Sequence, residues 1–284
     1  MNEIHEWEKW GRQDPYFAVL TDPRYRSANI DEAARKTFFE SGRSHARNVL
    51  AECRRLDARF KPGRVLDFGC GVGRVVLAFA AEADSAVGVD VSMSMIDEAR
   101  RNRDAQGLTN VELLVCDDGL SQLSGSFDLV HSFIVFQHID IPFGRQLFRR
   151  LIELLSPGGI AVLHVTYGKT SHAEHFGQPP TPRSAPRPAA PAPVASVPEP
   201  AAGAPRTLKS IGRWTAPNVP LPVADAAHDQ PQAQADPQMN MNPYNLSELV
   251  FLMQSAGITR FHASMTDHGG ELGVVLYFSK PAND

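Results

Sequence analysis

The chain has 284 residues, 43% of them hydrophobic, which suits one α/β domain with additions rather than two full domains. A formal net charge of −4 supplies no overall basic field for nucleic acid, and the three cysteines, Cys53, Cys70 and Cys116, are too few and too scattered for a disulfide framework or a zinc site. No apolar run approaches the roughly 20 residues that span a bilayer, and the polar opening stretch with both charge signs is no signal peptide, so a cytoplasmic protein with neither membrane nor nucleic-acid partner is expected.

Residues 1–62 concentrate Trp7, Trp10, Tyr16, Phe17 and Leu20 in a short polar stretch, which Asp14-Pro15 and Asp22-Pro23 interrupt. From Asp31 to Leu56 the pattern reads as two helices broken near Ser41-Gly42, with Ala46, Val49, Leu50 and Cys53 at helical spacing. The aromatic residues either staple this extension to the main domain or form a lid over a site.

Arg64 to Arg74, RVLDFGCGVGR, is the stretch that organises the chain. Val65-Leu66 reads as a buried strand, Gly69, Gly71 and Gly73 as a sharp turn, and Val75 to Ala81 as a buried helix. Strand, glycine turn and helix form the first unit of a doubly wound fold, whose ligands sit beyond the carboxyl ends of the strands. A dinucleotide fingerprint needs a small residue where Arg74 stands, and no Gly-Lys-Ser/Thr follows for a P-loop. Asp67, before the first glycine, suits an ammonium or sulfonium better than a pyrophosphate. A second strand, Ala86 to Val89, ends in Asp90, placed to accept hydrogen bonds from the vicinal hydroxyls of a ribose.

Further strands are read at Asn110–Val115, Phe127–Ser132 and Ile160–Val165, with a helix from Gly144 to Leu155 closed by Ser156-Pro157-Gly158-Gly159. From Gln178 to about Pro205 the chain is mostly Pro and Ala, and 16 of its 22 prolines fall between Pro179 and Pro243, so this insertion is expected to be largely flexible. A short island from Leu208 to Val223 has apolar residues that could dock on the domain. A last helix begins near Asn245 and ends at Gly257. Ile258–Met265 and Gly273–Phe278 then read as a hairpin joined through Asp267-His268-Gly269-Gly270.

Asp67-Phe68-Gly69-Cys70-Gly71-Val72-Gly73, D-x-G-x-G-x-G, resembles motif I of the class I S-adenosylmethionine-dependent methyltransferases. Asp90 with Ser92, Met93, Met95 and Ala99-Arg100 resembles the family's next run. The F-D-x-V of Phe127–Val130, the L-x-P-G-G before the fifth strand and the terminal hairpin agree with it. The resemblance covers residues 63–166 closely and 244–281 by architecture. It implies an α/β, Rossmann-like, doubly wound seven-stranded sheet, mostly parallel with a C-terminal antiparallel hairpin, carrying an N-terminal helical lid. The expected division is 1–62 lid, 63–168 cofactor-binding core, 169–243 insertion and 244–284 completing helix and hairpin.

The resemblance further implies S-adenosyl-L-methionine as cofactor. Asp67, Gly69, Cys70, Gly71 and Gly73 would bind it, Asp90 on the ribose, and Ser92 and Met93 near the adenine. Asp117 would bond the adenine amino group, with Asp118 as the fallback, and Ser132 and Phe133 would flank the methionine moiety. Gln137, Tyr16, His45, Met241 and Tyr244 are expected in the acceptor pocket, where Phe38 and Phe39 are weaker candidates. His138 is the candidate base, because imidazole titrates near neutral pH, while His131 and His164 read as core groups within strands.

Asp14-Pro15-Tyr16-Phe17 and Asn242-Pro243-Tyr244 lack the second proline and the position of an amino-methylating N/D-P-P-Y motif. His172 and His175 have no third metal ligand nearby. The expected function is methyl transfer to a small-molecule or glycan acceptor, through oxygen. A non-catalytic cofactor-binding regulatory or scaffold protein, or less favourably an NAD-dependent oxidoreductase, are the alternatives.

Overall fold

The sheet grows outward from β1 (Arg64–Phe68), whose alternate side chains supply two separate cores. Val65 joins Leu129, Val162 and Phe79 on one face, while Leu66 and Phe68 join Val130, Leu163 and Phe148 on the other. Both faces being covered, the strand reads as a continuous apolar run. In this computed structural model the structure describes residues 2–170 and 236–282. The Pro/Ala-rich run, the Leu208–Val223 island and the His172/His175 pair lie outside the described residues.

Beside β1 lie β2 (Ser85–Asp90), β3 (Val111–Val115), β4 (Phe127–Ser132) and β5 (Leu155–Lys169), all parallel. β6 (Phe261–Asp267) and β7 (Glu271–Ser279) close the sheet as an antiparallel hairpin, with β7 paired to β5. Among the described residues the order is β3-β2-β1-β4-β5-β7-β6. This is the expected Rossmann-like sheet with its terminal hairpin. β5 begins earlier and ends later than the apolar core of Ile160–Val165 indicates. It enters opposite Phe127 at Leu155, bulges through Ser156–Gly159 and resumes opposite Leu129 at Ile160.

The helices are α1 (Asn2–Gln13), α2 (Pro15–Val19), α3 (Glu32–Leu56), α4 (Val76–Ala80), α5 (Met93–Ala105), α6 (Ile141–Glu153) and α7 (Leu246–Ser255). Pro15 stands in the first turn of α2, where its missing N–H costs nothing. Asp31 caps α3 by accepting from the Ala34 amide at 2.7 Å. α6 starts three residues before Gly144, with Pro142 in its first turn.

The expected break near Ser41-Gly42 does not occur, because α3 is one continuous helix. Gly42 is a notch rather than a breaker. A Cβ there would overlap the carbonyl oxygen of Arg74 and lie 3.1 Å from Arg74 Cγ. Gly144 does the same in α6, where a Cβ would fall 2.7 Å from Tyr244 Cζ. In both helices the apparent weakness is the space a neighbour occupies.

An interior helical glycine replaced by alanine ordinarily gains about 0.5–1 kcal/mol. Gly42→Ala is expected to do the reverse and destabilise by about 1–3 kcal/mol, the cost of overpacking. Urea melts of the two proteins check the sign, and a stabilised variant would contradict the notch.

Candidate cofactor and acceptor site

A cavity of about 430 Å³ opens at the carboxyl ends of β1, β2, β3 and β4. That volume lies within the range of small-molecule sites. Its floor is the turn after β1. Gly69 and Gly71 have φ of +74° and +52°, a conformation side-chain-bearing residues rarely adopt. A Cβ on Gly69 would fall 2.7 Å from Val135 Cγ1, and one on Gly71 2.7 Å from Val19 Cγ2. The turn thus leaves bare backbone facing the cavity.

Asp90 ends β2 with its carboxylate fixed by two amides, Ser92 N–H to Oδ1 and Gly71 N–H to Oδ2, each at 2.9 Å. Each oxygen keeps a further lone pair for a ligand. Burial raises Asp90 to about 6 against the opposing pull of these amides.

Asp67 is 3% exposed and lines the same cavity. His131 donates its Nδ1–H to Asp67 Oδ1 at 2.7 Å, and its other ring nitrogen is hydrogen-bonded to His45 Nε2 at 2.9 Å. Burial and the neighbouring His131 hold His45 well below the usual histidine range. This chain runs from the cavity floor to α3. His45 packs on Phe133 with ring centroids 4.4 Å apart and lies behind the cavity wall rather than in it.

Beyond β4 the backbone is strained. Ile134, a β-branched residue, has φ of +57°. The twist turns Phe133, Ile134 and Val135 to the cavity, and the Ile134 amide donates to His164 Nδ1 at 3.3 Å. Strain of this kind persists only where its surroundings over-determine it, and it clusters at ligand sites.

His138 follows in a short 3-10 turn, 8% exposed and lining the cavity. Its Nδ1 lies 2.7 Å from the carbonyl oxygen of Asn240. A carbonyl only accepts, so Nδ1 carries the proton and the Nε2 lone pair accepts from the Gln137 side-chain amide at 3.3 Å. Burial pushes His138 below the usual histidine value, partly offset by the Asn240 bond. The edge of Trp7 packs against the ring, with centroids 4.9 Å apart.

The cover comes from α1 and α2. Ile4, Trp7, Ala18 and Val19 line the cavity. Glu8 clasps the lid to α5, accepting from Ser92 Oγ at 2.8 Å, Ser94 Oγ at 2.7 Å and the Ser94 amide at 3.1 Å. Burial pushes the Glu8 carboxyl up, but the bonds from Ser94 and Ser92 outweigh it and hold it at about 2. The segment returning at Asp236 straps the same region. Glu6 accepts from the Gln238 amide at 3.0 Å, and the Asn242 amide donates to Gln137 O at 2.7 Å.

Of the residues singled out from sequence, Asp67, Gly69, Cys70, Gly71, Asp90, Asp117, Asp118, Phe133 and His138 share this cavity. Gly73 instead packs under Leu77, and Ser92 caps α5. Met93 is 51% exposed, while Met95 lines the cavity in its stead. Ser132 is buried behind the wall. The Tyr16 hydroxyl lies 2.8 Å from Asn102 Oδ1, between Glu98 and Arg35, away from the cavity. Phe38 and Phe39 pack around the Tyr16 ring. Tyr244 fills the Gly144 notch and donates to Ile139 O at 3.0 Å. Met241 reaches Gln137, which bonds Thr166. Asp117 folds its carboxylate onto the Gly119 and Ser121 amides and the Ser121 hydroxyl. Asp118 takes no hydrogen bond from the described residues and so keeps its acceptors for a ligand.

These groups suit S-adenosylmethionine. Bare backbone meets the ligand, a held carboxylate faces a ribose position, and a second carboxylate stands where positive charge would lie. Residues 65–159 match the family model described as a methyltransferase domain. The chain is 32% identical over 166 residues to 24-methylenesterol C-methyltransferase 2 of Oryza sativa subsp. japonica, covering 57% of this chain and 40% of that one. It is 34% identical over 100 residues to an aklanonic acid methyltransferase of Streptomyces sp. strain C5, covering 34% and 44%. The matches span about half or less of the relatives' lengths.

Magnesium protoporphyrin IX methyltransferase of Synechocystis PCC 6803, solved with S-adenosylhomocysteine bound, is similar in fold with a TM-score of 0.53. Its identity is 15%, over 94% of this chain and 97% of that one. Turn, ribose acid, sheet order and family match agree: residues 65–159 match the methyltransferase-domain family, and the chain has the fold of the class I S-adenosylmethionine-dependent methyltransferases.

Proposed function

We propose that the chain transfers a methyl group from S-adenosylmethionine to the oxygen of a small-molecule or glycan acceptor. The observation that carries this reading is a neutral, tautomer-fixed His138 in the cavity that also holds Asp90 and Asp67. The relatives named for a sterol and for aklanonic acid support a small acceptor. The net charge of −4 favours it over a polyanion.

The cofactor supplies an electrophilic methyl on a sulfonium, so little covalent help is needed, and the protein's part is alignment and exclusion of water. Asp90 accepts from the ribose hydroxyls, and Asp118 from the adenine amino group. Gly69 and Gly71 let the ligand lie on backbone. Ile4, Trp7 and Val19 close over it. His138 Nε2 would take the proton of the acceptor's hydroxyl as that oxygen accepts the methyl group the cofactor supplies.

Because the Asp90 carboxyl is raised to about 6, its ribose-accepting form is lost as pH falls through that value. Affinity for S-adenosylhomocysteine, measured by calorimetry between pH 7.5 and 5, is expected to drop below pH 6. Asp90→Asn should bind weakly at every pH and show no such inflection. An inflection surviving in the variant would assign it to another group.

His138→Asn is expected to cut turnover by roughly 10²–10⁴ at neutral pH with cofactor affinity nearly unchanged. Burial lowers the imidazole, so with cofactor kept saturating the acid limb of the wild-type kcat/KM profile for the acceptor should have its midpoint below 6.5 and vanish in the variant. The deficit should narrow at high pH, where hydroxide deprotonates the acceptor. A pH-independent deficit, or affinity falling in step with rate, would make His138 structural. The acceptor itself is read out by a screen of small molecules and glycans with methyl-labelled cofactor.

A further inference from the structure

Among the described residues seven large apolar side chains are exposed, and four of them, Val250, Phe251, Phe261 and Met265, lie on α7 and β6 at one end of the sheet. Phe261, at 45%, and Met265, at 67%, share one face of β6 with Ala263. Their neighbours across the pair with β7, Phe278, Leu276 and Val274, are buried in the core that also holds Leu249 and Met253 of α7. The cover over β7 therefore does not extend over Phe261 and Met265.

β6 is also the edge of the sheet, paired with β7 alone among the described residues. An edge that stays single is normally blunted by lysine, proline, a bulge or an inward-pointing charge. From Phe261 to Met265 β6 has none of these, and its register with β7 runs unbroken from Phe261 to Asp267. The opposite edge, β3, is five residues long, turns Glu112 to solvent and buries Val111 and Leu113. The sheet thus has one guarded edge and one open edge.

An antiparallel pair of identical strands has a two-fold axis at one residue, and the choice of residue decides which side chains meet. An axis at Ser264 would set Phe261 against the partner's Asp267. An axis at His262 would leave Met265 opposite the partner's Thr259. At Met265 the axis would carry Phe261 past the end of the partner's strand. An axis at Ala263 sets Phe261 opposite the partner's Met265 and Met265 opposite the partner's Phe261, ring against thioether. The same axis lays the exposed Arg260, just before the strand, beside the end of the other strand that carries the exposed Asp267, twice over. The strand is complementary to itself in apolar surface and in charge.

We infer that two copies of this chain associate edge to edge through β6, about an axis at Ala263, joining their sheets into one. The inference is independent of the cofactor and acceptor readings.

Sedimentation velocity of the full chain at rising concentration tests the association. A dimer is expected, and Met265→Lys should weaken it by at least about tenfold, because two ammonium groups would be buried against two phenyl rings. Ala263→Cys tests the register. At the axis the two Cα atoms would lie about 4.5–5.5 Å apart, within disulfide reach, so mild oxidation should give a covalent dimer on a non-reducing gel. Ser264→Cys would place its pair roughly 8 Å apart and should stay uncrosslinked. Cys53, Cys70 and Cys116 are buried and do not compete. A monomer at every concentration would overturn the inference. So would a dimer that Met265→Lys leaves intact, or equal cross-linking from the two cysteine variants. Should Met265→Lys melt early, the cysteine pair decides, and should Ala263→Cys do so, Met265→Lys decides.

Discussion

Three backbone amides tie the turn after β1 to the end of β2, and the site depends on that tie. Gly69 N–H and Cys70 N–H both donate to Val89 O, at 2.8 and 3.0 Å, and Gly71 N–H donates to the Asp90 carboxylate. The bonds consume the donors of a turn that could not otherwise lie still at a sheet edge. They also place bare backbone beside the acid that faces a ribose. Glycine is required at Gly69 and Gly71 twice over, for the positive φ and for the room that Val135 and Val19 already occupy.

From this fixed turn the charges of the cavity are laid out in order. Asp67 precedes it, Arg74 follows it, and Asp90 lies across it. Asp67 is braced by the two histidines that lead to α3, and Arg74 by the notch in the same helix. α3 thus sets two of the three charged groups without itself lining the cavity. The lid is a separate piece. Glu8 binds α1 to the first turn of α5, directly after Asp90, so lid and ribose acid share the Ser92 junction. The strap from Asp236 to Asn242 bonds both the lid and the turn that carries His138.

Much of this was legible in the chain. An apolar run, alternate glycines and strand-ending acids give the first half of the sheet. The Asp267–Gly270 turn between alternating runs gives the antiparallel end. What stayed hidden has particular causes. Gly42 has the signature of a helix breaker, and only a neighbour's backbone shows it to be a notch. Arg74 stood out as the residue that spoils a dinucleotide fingerprint, and its burial belongs to the fold. The support of His138 is a backbone carbonyl, to which the identity of Asn240 is no guide. Of the two adjacent acids after β3 the motif favours Asp117, whereas the turn claims the Asp117 carboxylate for its own amides and leaves Asp118 facing the cavity. Trp7 and Ile4 lie one helical turn apart, a spacing equally suited to stapling the extension or covering a site.

The central claim is that the cavity at the carboxyl edge of β1 to β4 takes S-adenosylmethionine and not a dinucleotide. Parallel calorimetric titrations of the intact chain with S-adenosylhomocysteine and with NAD, at neutral pH, test it most directly. The account predicts saturable binding of one S-adenosylhomocysteine per chain and no heat with NAD. Binding of NAD, or no binding of S-adenosylhomocysteine, would contradict it.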